Sequence, residues 1–148
     1  MEIKVTVDLG EKTAALFVQN PLNKSYPEII YRTGDLASVN ERGEMIFKGR
    51  KDTLIKHMGY RIELAEIEHI AVNNLKIAEN CCVIYDKDKK QIIMIYESKN
   101  GLAGSEIRKA LADVMPKYMI PTSYIRLDEM PRNTNGKIDR LKLKNEYL

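Results

Sequence analysis

The feature that most constrains this chain is a change of period inside Gly49–Glu68, GRKDTLIKHMGYRIELAEIE. Thr53–His57 is rich in β-formers and reads as a short strand. Met58-Gly59 is a two-residue break with glycine second, where a tight hairpin needs φ > 0. Tyr60–Ile62 returns as the second strand. The spacing then becomes helical: Leu64, Ile67, Ile70, Ala71 and Leu75 recur at three- and four-residue steps. Glu63, Glu66 and Glu68 fall in the first turns, where carboxylates suit the positive end of the helix dipole. A hairpin that runs directly into an amphipathic helix predicts an α+β layer. Arg50, Asp52, Lys56, Arg61 and Glu63 cluster near the junction. By composition alone that cluster is a solvated, salt-bridged face.

The rest of the chain completes the layer. Glu2–Leu9 alternates as a half-buried strand ended by Gly10, and Glu11–Gln19 predicts a short helix closed by Asn20-Pro21. Glu28–Tyr31 and Glu44–Lys48 predict two more strands. After the first helix, Ala78–Tyr85 and Gln91–Glu97 are apolar β-rich runs joined by a polar loop. Ser105 is a candidate N-cap for a helix carrying Ile107, Ala110, Leu111 and Val114, which Met115-Pro116 ends. Ser123–Leu127 predicts a third strand. The expected fold is therefore a small three-stranded sheet with helices on one face, preceded by a β-hairpin and further strands.

Composition narrows the function classes. The 148 residues carry a net charge of only +3, and no apolar run reaches the roughly 18 residues that span a bilayer. MEIKVTVDLGE has no basic start before an apolar core, so no signal peptide is expected and the cytoplasm is the default location. Cys81 and Cys82 are adjacent, point to opposite faces of a strand and read as buried free thiols. Two cysteines and two separated histidines give no zinc site, so no metal ligands are assigned. A nucleic-acid binder would need a closely spaced aromatic and basic stacking pattern, which is absent.

The order of residues goes further than their composition. Every fixed position of Gly-Arg-x-Asp-x-x-(Ile/Val)-Lys-x-x-Gly-x-Arg-(Ile/Val)-Glu-x-x-Glu-(Ile/Val)-Glu is filled from Gly49 to Glu68. This string resembles a core motif of the adenylate-forming, AMP-binding superfamily: amino-acid adenylation domains of peptide synthetases, D-alanine–carrier-protein ligases and acyl-CoA synthetases. Tyr31–Leu36, YRTGDL, resembles a second motif of that family. By its own residues it is a strand ending in a turn, with an Asp that could equally cap that turn. Asn135–Arg140, NGKIDR, resembles the closing motif. Alone it reads as an Asn-Gly turn followed by a solvated lysine. The family's usual proline before the Asn-Gly is Thr134 here.

The resemblance implies roles residue by residue. Asp35 would accept the ribose hydroxyls of ATP or AMP, and Arg50 would contact the nucleotide. Asp52 would be the hinge between two half-reactions. Gly59 would line the passage for a carrier's pantetheine arm. Lys137 would enter the active site for adenylation, on a loop expected to be mobile and exposed. The resemblance also implies domains: residues 1–49 as the end of a barrel-like N-terminal subdomain, and 50–148 as the mobile C-terminal subdomain. The complete enzyme would use ATP with Mg, activate a carboxylic acid, an amino acid rather than an acetyl or fatty acyl group, and pass it to a phosphopantetheinyl carrier protein or CoA. The phosphate-binding loop and acyl pocket of such enzymes are not found here, so this chain alone is expected to be inactive. Its partner would be the N-terminal adenylation subdomain. Residues 1–48 are expected to show exposed apolar surface, and self-association or weak order. The alternative is a non-catalytic subdomain that docks on a carrier protein or on a separate N-terminal partner.

Overall fold

A computed structural model describes residues 10–148; the strand expected over Glu2–Leu9 lies outside them. The chain divides into two compact units, Met1–Lys51 and Asp52–Leu148.

In the first unit, α1 (Gly10–Leu16) passes straight into β1 (Phe17–Gln19), which pairs antiparallel with β2 (Ile29–Tyr31). The helix expected to run to Gln19 therefore ends earlier. Pairing with β2 claims Phe17–Gln19 because Val18 and Phe17 fit a pleated surface as well as a helix. The intervening loop is held by side-chain amides: Gln19 Nε2 donates to the Asn23 carbonyl at 3.0 Å, and Asn23 Nδ2 donates to the Glu28 carboxylate at 2.8 Å. A second hairpin follows, β3 (Asp35–Val39) against β4 (Met45–Arg50). Asn40 makes its turn by accepting from the Arg42 and Glu44 amides. Phe17, Leu22, Tyr31, Val39, Met45 and Phe47 are all exposed. Apolar exposure was expected for this unit, and each of its described sheets has only two strands.

The second unit is built as the period change predicts. β5 (Leu54–His57) and β6 (Tyr60–Glu63) form a hairpin, and α2 (Leu64–His69) starts at once. The turn takes positive φ at both Met58 (50°) and Gly59 (85°), the primed geometry that matches strand twist. Glu63 is the N-cap, its carboxylate accepting from the Ala65 amide. The helix then widens into one π turn, Ile70–Asn74, where the Leu75 amide reaches the Ile70 carbonyl. It exits through Lys76 at φ 52°, a left-handed residue with no glycine to announce it.

β7 (Asn80–Asp86) and β8 (Gln91–Glu97) are antiparallel, and β9 (Ser123–Leu127) lies parallel to β8, which is thus central. Side chains alternate between two cores. Cys81, Val83, Ile92, Met94 and Tyr96 face α2, its π turn and α3 (Gly104–Ala112), which bring Ile67, Ala71, Ile107 and Leu111. Cys82, Ile84, Ile93 and Ile95 face the opposite way and meet Met130 and Leu143. Leu143 belongs to α4 (Arg140–Tyr147), a helix the sequence reading does not contain. The two expected helices do share one face, and α4 is an addition on the other. Without it the unbroken apolar run of β8 would leave one face wet. Helix α3 is capped differently from expectation: the N-cap is Ala103, whose amide donates to the Glu106 carboxylate at 2.8 Å, and Ser105 lies inside the helix. Ala103 has no side-chain acceptor, so Glu106 supplies only the carboxylate half of a capping box.

Candidate functional site

Asp35 and Arg50 are brought together at the open end of the β3–β4 hairpin. Strand register slips between Leu36 and Ala37, and Gly49 opposite takes φ 108°. The bulge sets Asp35 across from Arg50. Arg50 Nη1 donates to Asp35 Oδ1 at 3.0 Å, with both side chains nearly half exposed. Such an exposed pair adds little stability, so stability does not account for its placement. Gly34, at φ 81°, lies under the guanidinium: a Cβ there would sit 3.4 Å from Arg50 Nη2.

Asp52 is exposed in the turn that opens the second unit. Thr53, next to it, is buried, and its carbonyl accepts from the Leu64 amide at 2.9 Å. Gly59 is at the exposed tip of β5–β6 with open space where a Cβ would be. The root of that tip is pinned: buried His57 shares a 3.2 Å hydrogen bond with the Tyr85 hydroxyl, and Tyr60 stacks on Tyr118 with ring centroids 3.9 Å apart. Lys56 and Arg61 are exposed and directly opposite in register. Like charges facing one another are destabilising, so these two residues give the hairpin a small basic surface.

Lys137 is exposed. Its loop is tied down by polar bonds in place of apolar packing. The Asn133 side chain accepts from the Asn135 amide at 3.0 Å and the Lys137 amide at 3.1 Å. The Asn133 amide donates to the Lys137 carbonyl at 2.8 Å, and Arg132 Nη1 donates to the Gly136 carbonyl at 2.9 Å. Gly136 takes φ 76°, the conformation that an Asn-Gly turn predicts. Thr134 is exposed in the turn, so the absent proline is replaced by hydrogen bonds that fix the same segment.

The ends of two motifs also meet. Arg140 Nη2 reaches both carboxylate oxygens of Glu68, while Nη1 donates to the Val83 carbonyl at 3.2 Å and to Cys82 Sγ at 3.3 Å. Glu68 further accepts from the Val83 amide at 2.6 Å. Burial disfavours the Arg140 charge, but the hydrogen bond and charge of Glu68 outweigh it and hold the guanidinium above its ordinary value. The sequence places Glu68 among the helix-dipole carboxylates and Arg140 at the end of the closing motif, and it does not pair them. Each charge is the last fixed position of its motif, and that is the signal the sequence offers. Cys81 and Cys82 are buried free thiols; burial raises both, Cys82 to about 11.

Comparison with known proteins settles the family. Residues 66–137 match the AMP-binding enzyme C-terminal domain. The chain belongs to the AMP-binding, adenylate-forming enzymes, as their C-terminal portion. It is 36% identical over 145 residues to the nonribosomal peptide synthetase inpB of Emericella nidulans, covering 90% of this chain and 6% of that protein. It is 35% identical over 129 residues to an L-proline–[L-prolyl-carrier protein] ligase of Streptomyces coelicolor, covering 84% of this chain and 24% of that one. Among solved structures, Klebsiella oxytoca NpsA in complex with 3-hydroxyanthranilyl-AMSN superposes with a TM-score of 0.65 at 30% identity, over 91% of this chain and 27% of that chain. The chain thus spans about a quarter or less of the curated relatives' own length. As the C-terminal portion of this family it has the expected α+β class, with small sheets and helices and, among the described residues, no closed barrel. Among the described residues no helix is long and apolar enough to cross a membrane. No group of three or more His, Cys, Asp and Glu among them could hold a metal ion.

Proposed function

We propose that this chain is the mobile end of an ATP-dependent ligase that converts a carboxylic acid, an amino acid, into an acyl adenylate and passes it to a carrier thiol. The single observation carrying this reading is the position of Lys137: an exposed ammonium at the end of the family match, on a loop fixed by its own hydrogen bonds.

The residues fit that chemistry. ATP, with Mg²⁺ in the complete enzyme, would supply the α-phosphate: a carboxylate oxygen would bond to it as the α–β phosphoanhydride breaks and pyrophosphate leaves. The two anions repel, and a compact ammonium on a long stem can bridge them as charge builds. Asp35 is an acceptor-only group with about four lone-pair positions, so its bond to Arg50 leaves capacity for both ribose hydroxyls. Arg50, on the same hairpin, offers planar donors to phosphate oxygens. Asp52 is the hinge, at the start of the second unit, and absorbs the rotation that exchanges Lys137 for Gly59. Gly59 faces open space, which suits the passage of a slender pantetheine arm; Lys56 and Arg61 beside it suit an anionic carrier protein or CoA. The exposed apolar faces of residues 10–51 suit the N-terminal adenylation subdomain, or a second copy where that subdomain is absent. The relatives are carrier-protein ligases and peptide synthetases by name, which favours an amino acid and a carrier protein.

The test separates the half-reactions in the complete enzyme. Lys137→Ala should slow adenylation by about 10²–10³-fold, the scale of one preorganised electrostatic contact, and leave thioester formation from supplied acyl adenylate intact. Lys137→Arg should not rescue, because a planar fork cannot replace a compact ammonium. The 148-residue chain alone should give no acid-dependent pyrophosphate exchange over an amino-acid panel. Equal loss of both steps, or of neither, would reduce Lys137 to a solvated turn residue.

A further inference from the structure

We propose that Glu68 and Arg140 are a positioning pair that sets where the Lys137 loop stands on the Asp52–Leu148 unit; this rests on the reading of Lys137 given above. Glu68 leaves α2 and Arg140 opens α4, so one ion pair joins two helices on opposite faces of the sheet, 72 residues apart in sequence. It reaches around β7, taking the Val83 amide on the Glu68 side and the Val83 carbonyl on the Arg140 side. Neither charge is presented to a substrate. The Glu68 side chain is 15% exposed and that of Arg140 31%, and both Arg140 terminal nitrogens already donate.

Stability alone does not account for this pair. Desolvating two charges offsets most of their attraction, and apolar residues of similar volume would hold α4 at least as well. What a guanidinium fork supplies, with Nη2 on the Glu68 carboxylate and Nη1 on the Val83 carbonyl, and an apolar contact does not, is a fixed angle and register. Arg140 is three residues after Lys137, with Asp139 between them as N-cap of α4 accepting from the Lys142 amide at 3.0 Å. On the other side the loop closes through the Arg132–Ile138 bridge and the 2.8 Å bond from the Asp139 amide to the Pro131 carbonyl. Ile138 packs in the same core as Leu143. A shift of the first turn of α4 therefore passes along a closed, hydrogen-bonded frame to Lys137. The charge of Asp52 also acts on Arg140, so the start of the unit feels the same guanidinium.

Two measurements test this with Glu68→Gln, which keeps the shape, and Arg140→Lys, which keeps the charge and loses the fork. In the 148-residue chain, amide hydrogen exchange at Asn133 and Asp139 should accelerate on the order of ten- to a hundredfold, the loss of charged hydrogen bonds. Exchange at Met94 and Ile95 in the central strand should stay at the parent rate. Equal acceleration in loop and strand would make the pair a general stabiliser and overturn the proposal, as would an unchanged loop. In the complete enzyme both variants should slow adenylation about tenfold or more while sparing acyl transfer from supplied adenylate, with Arg140→Lys the milder. If Lys137→Ala impairs adenylation and Glu68→Gln does not, positioning fails and the function stands. If Lys137→Ala has no effect, the function fails, and the exchange measurement still decides whether the pair sets the loop.

Discussion

Gly104→Ala puts two well-known effects against each other. Alanine is the better helix former by about 1 kcal/mol in a helix interior, and less in a first turn. Gly104 opens α3, and its φ is not in the left-handed region, so the backbone itself admits alanine. The surroundings do not. A Cβ at Gly104 would lie 2.5 Å from Tyr124 Cβ and 3.0 Å from Tyr124 Cγ, where ordinary carbon contacts begin near 3.5 Å. The nearer atom, Cβ, is fixed to the backbone of β9, so no rotamer of Tyr124 withdraws it. Helix and strand must separate by about 1 Å, and Ile107 and Leu111, both fully buried, must move with the helix. Overpacking of this kind costs about 1–3 kcal/mol. The cost exceeds the propensity gain, and the net loss should be about 1–2 kcal/mol. For a unit of this size that lowers Tm by about 5–15 °C. The assay is thermal and urea unfolding of the 148-residue chain, with Ser105→Ala, exposed one residue on, as the propensity control. Gly104→Ala as stable as its parent, or more so, would refute the close approach of α3 to β9.

Two other outcomes follow from the same geometry. Asp52→Pro, which fixes φ near −65°, should impair thioester formation in the complete enzyme about 10²-fold more than adenylation; equal loss of both steps would deny Asp52 its hinge role. Stability should fall as pH rises above about 9, because burial raises the Cys82 thiol to about 11 and the Tyr124 phenol to about 12. The folded state then binds more protons than the unfolded one between the ordinary and raised values, and the slope of unfolding free energy against pH is negative. Urea midpoints between pH 8 and pH 11 check this, and a flat or rising series would contradict the burial of both groups.

Much of the second unit is legible in the sequence, and for a local reason. In Thr53–Leu75 the strand period, the Met58-Gly59 turn and the helical period each depend on neighbours a few residues away. The hairpin and the start of the helix therefore fall where those residues place them. Cys81 and Cys82 point to opposite cores because alternation along a strand is itself local. The motif positions carry the family in the same way, by order and spacing. What local pattern cannot carry is a choice made by a distant partner. Phe17–Gln19 fits a helix as well as a strand until β2 pairs with it. Ala103 caps α3 only because Glu106 folds back onto its amide. RLKLKNEY has little helical amphipathicity, and it becomes α4 because the second face of β8 must be covered and Leu143 is in reach. The Glu68–Arg140 pair belongs to the same class. Each residue is one more charge in a motif until the chain has folded, and only closure over a separation of 72 residues sets the guanidinium against the carboxylate that holds it.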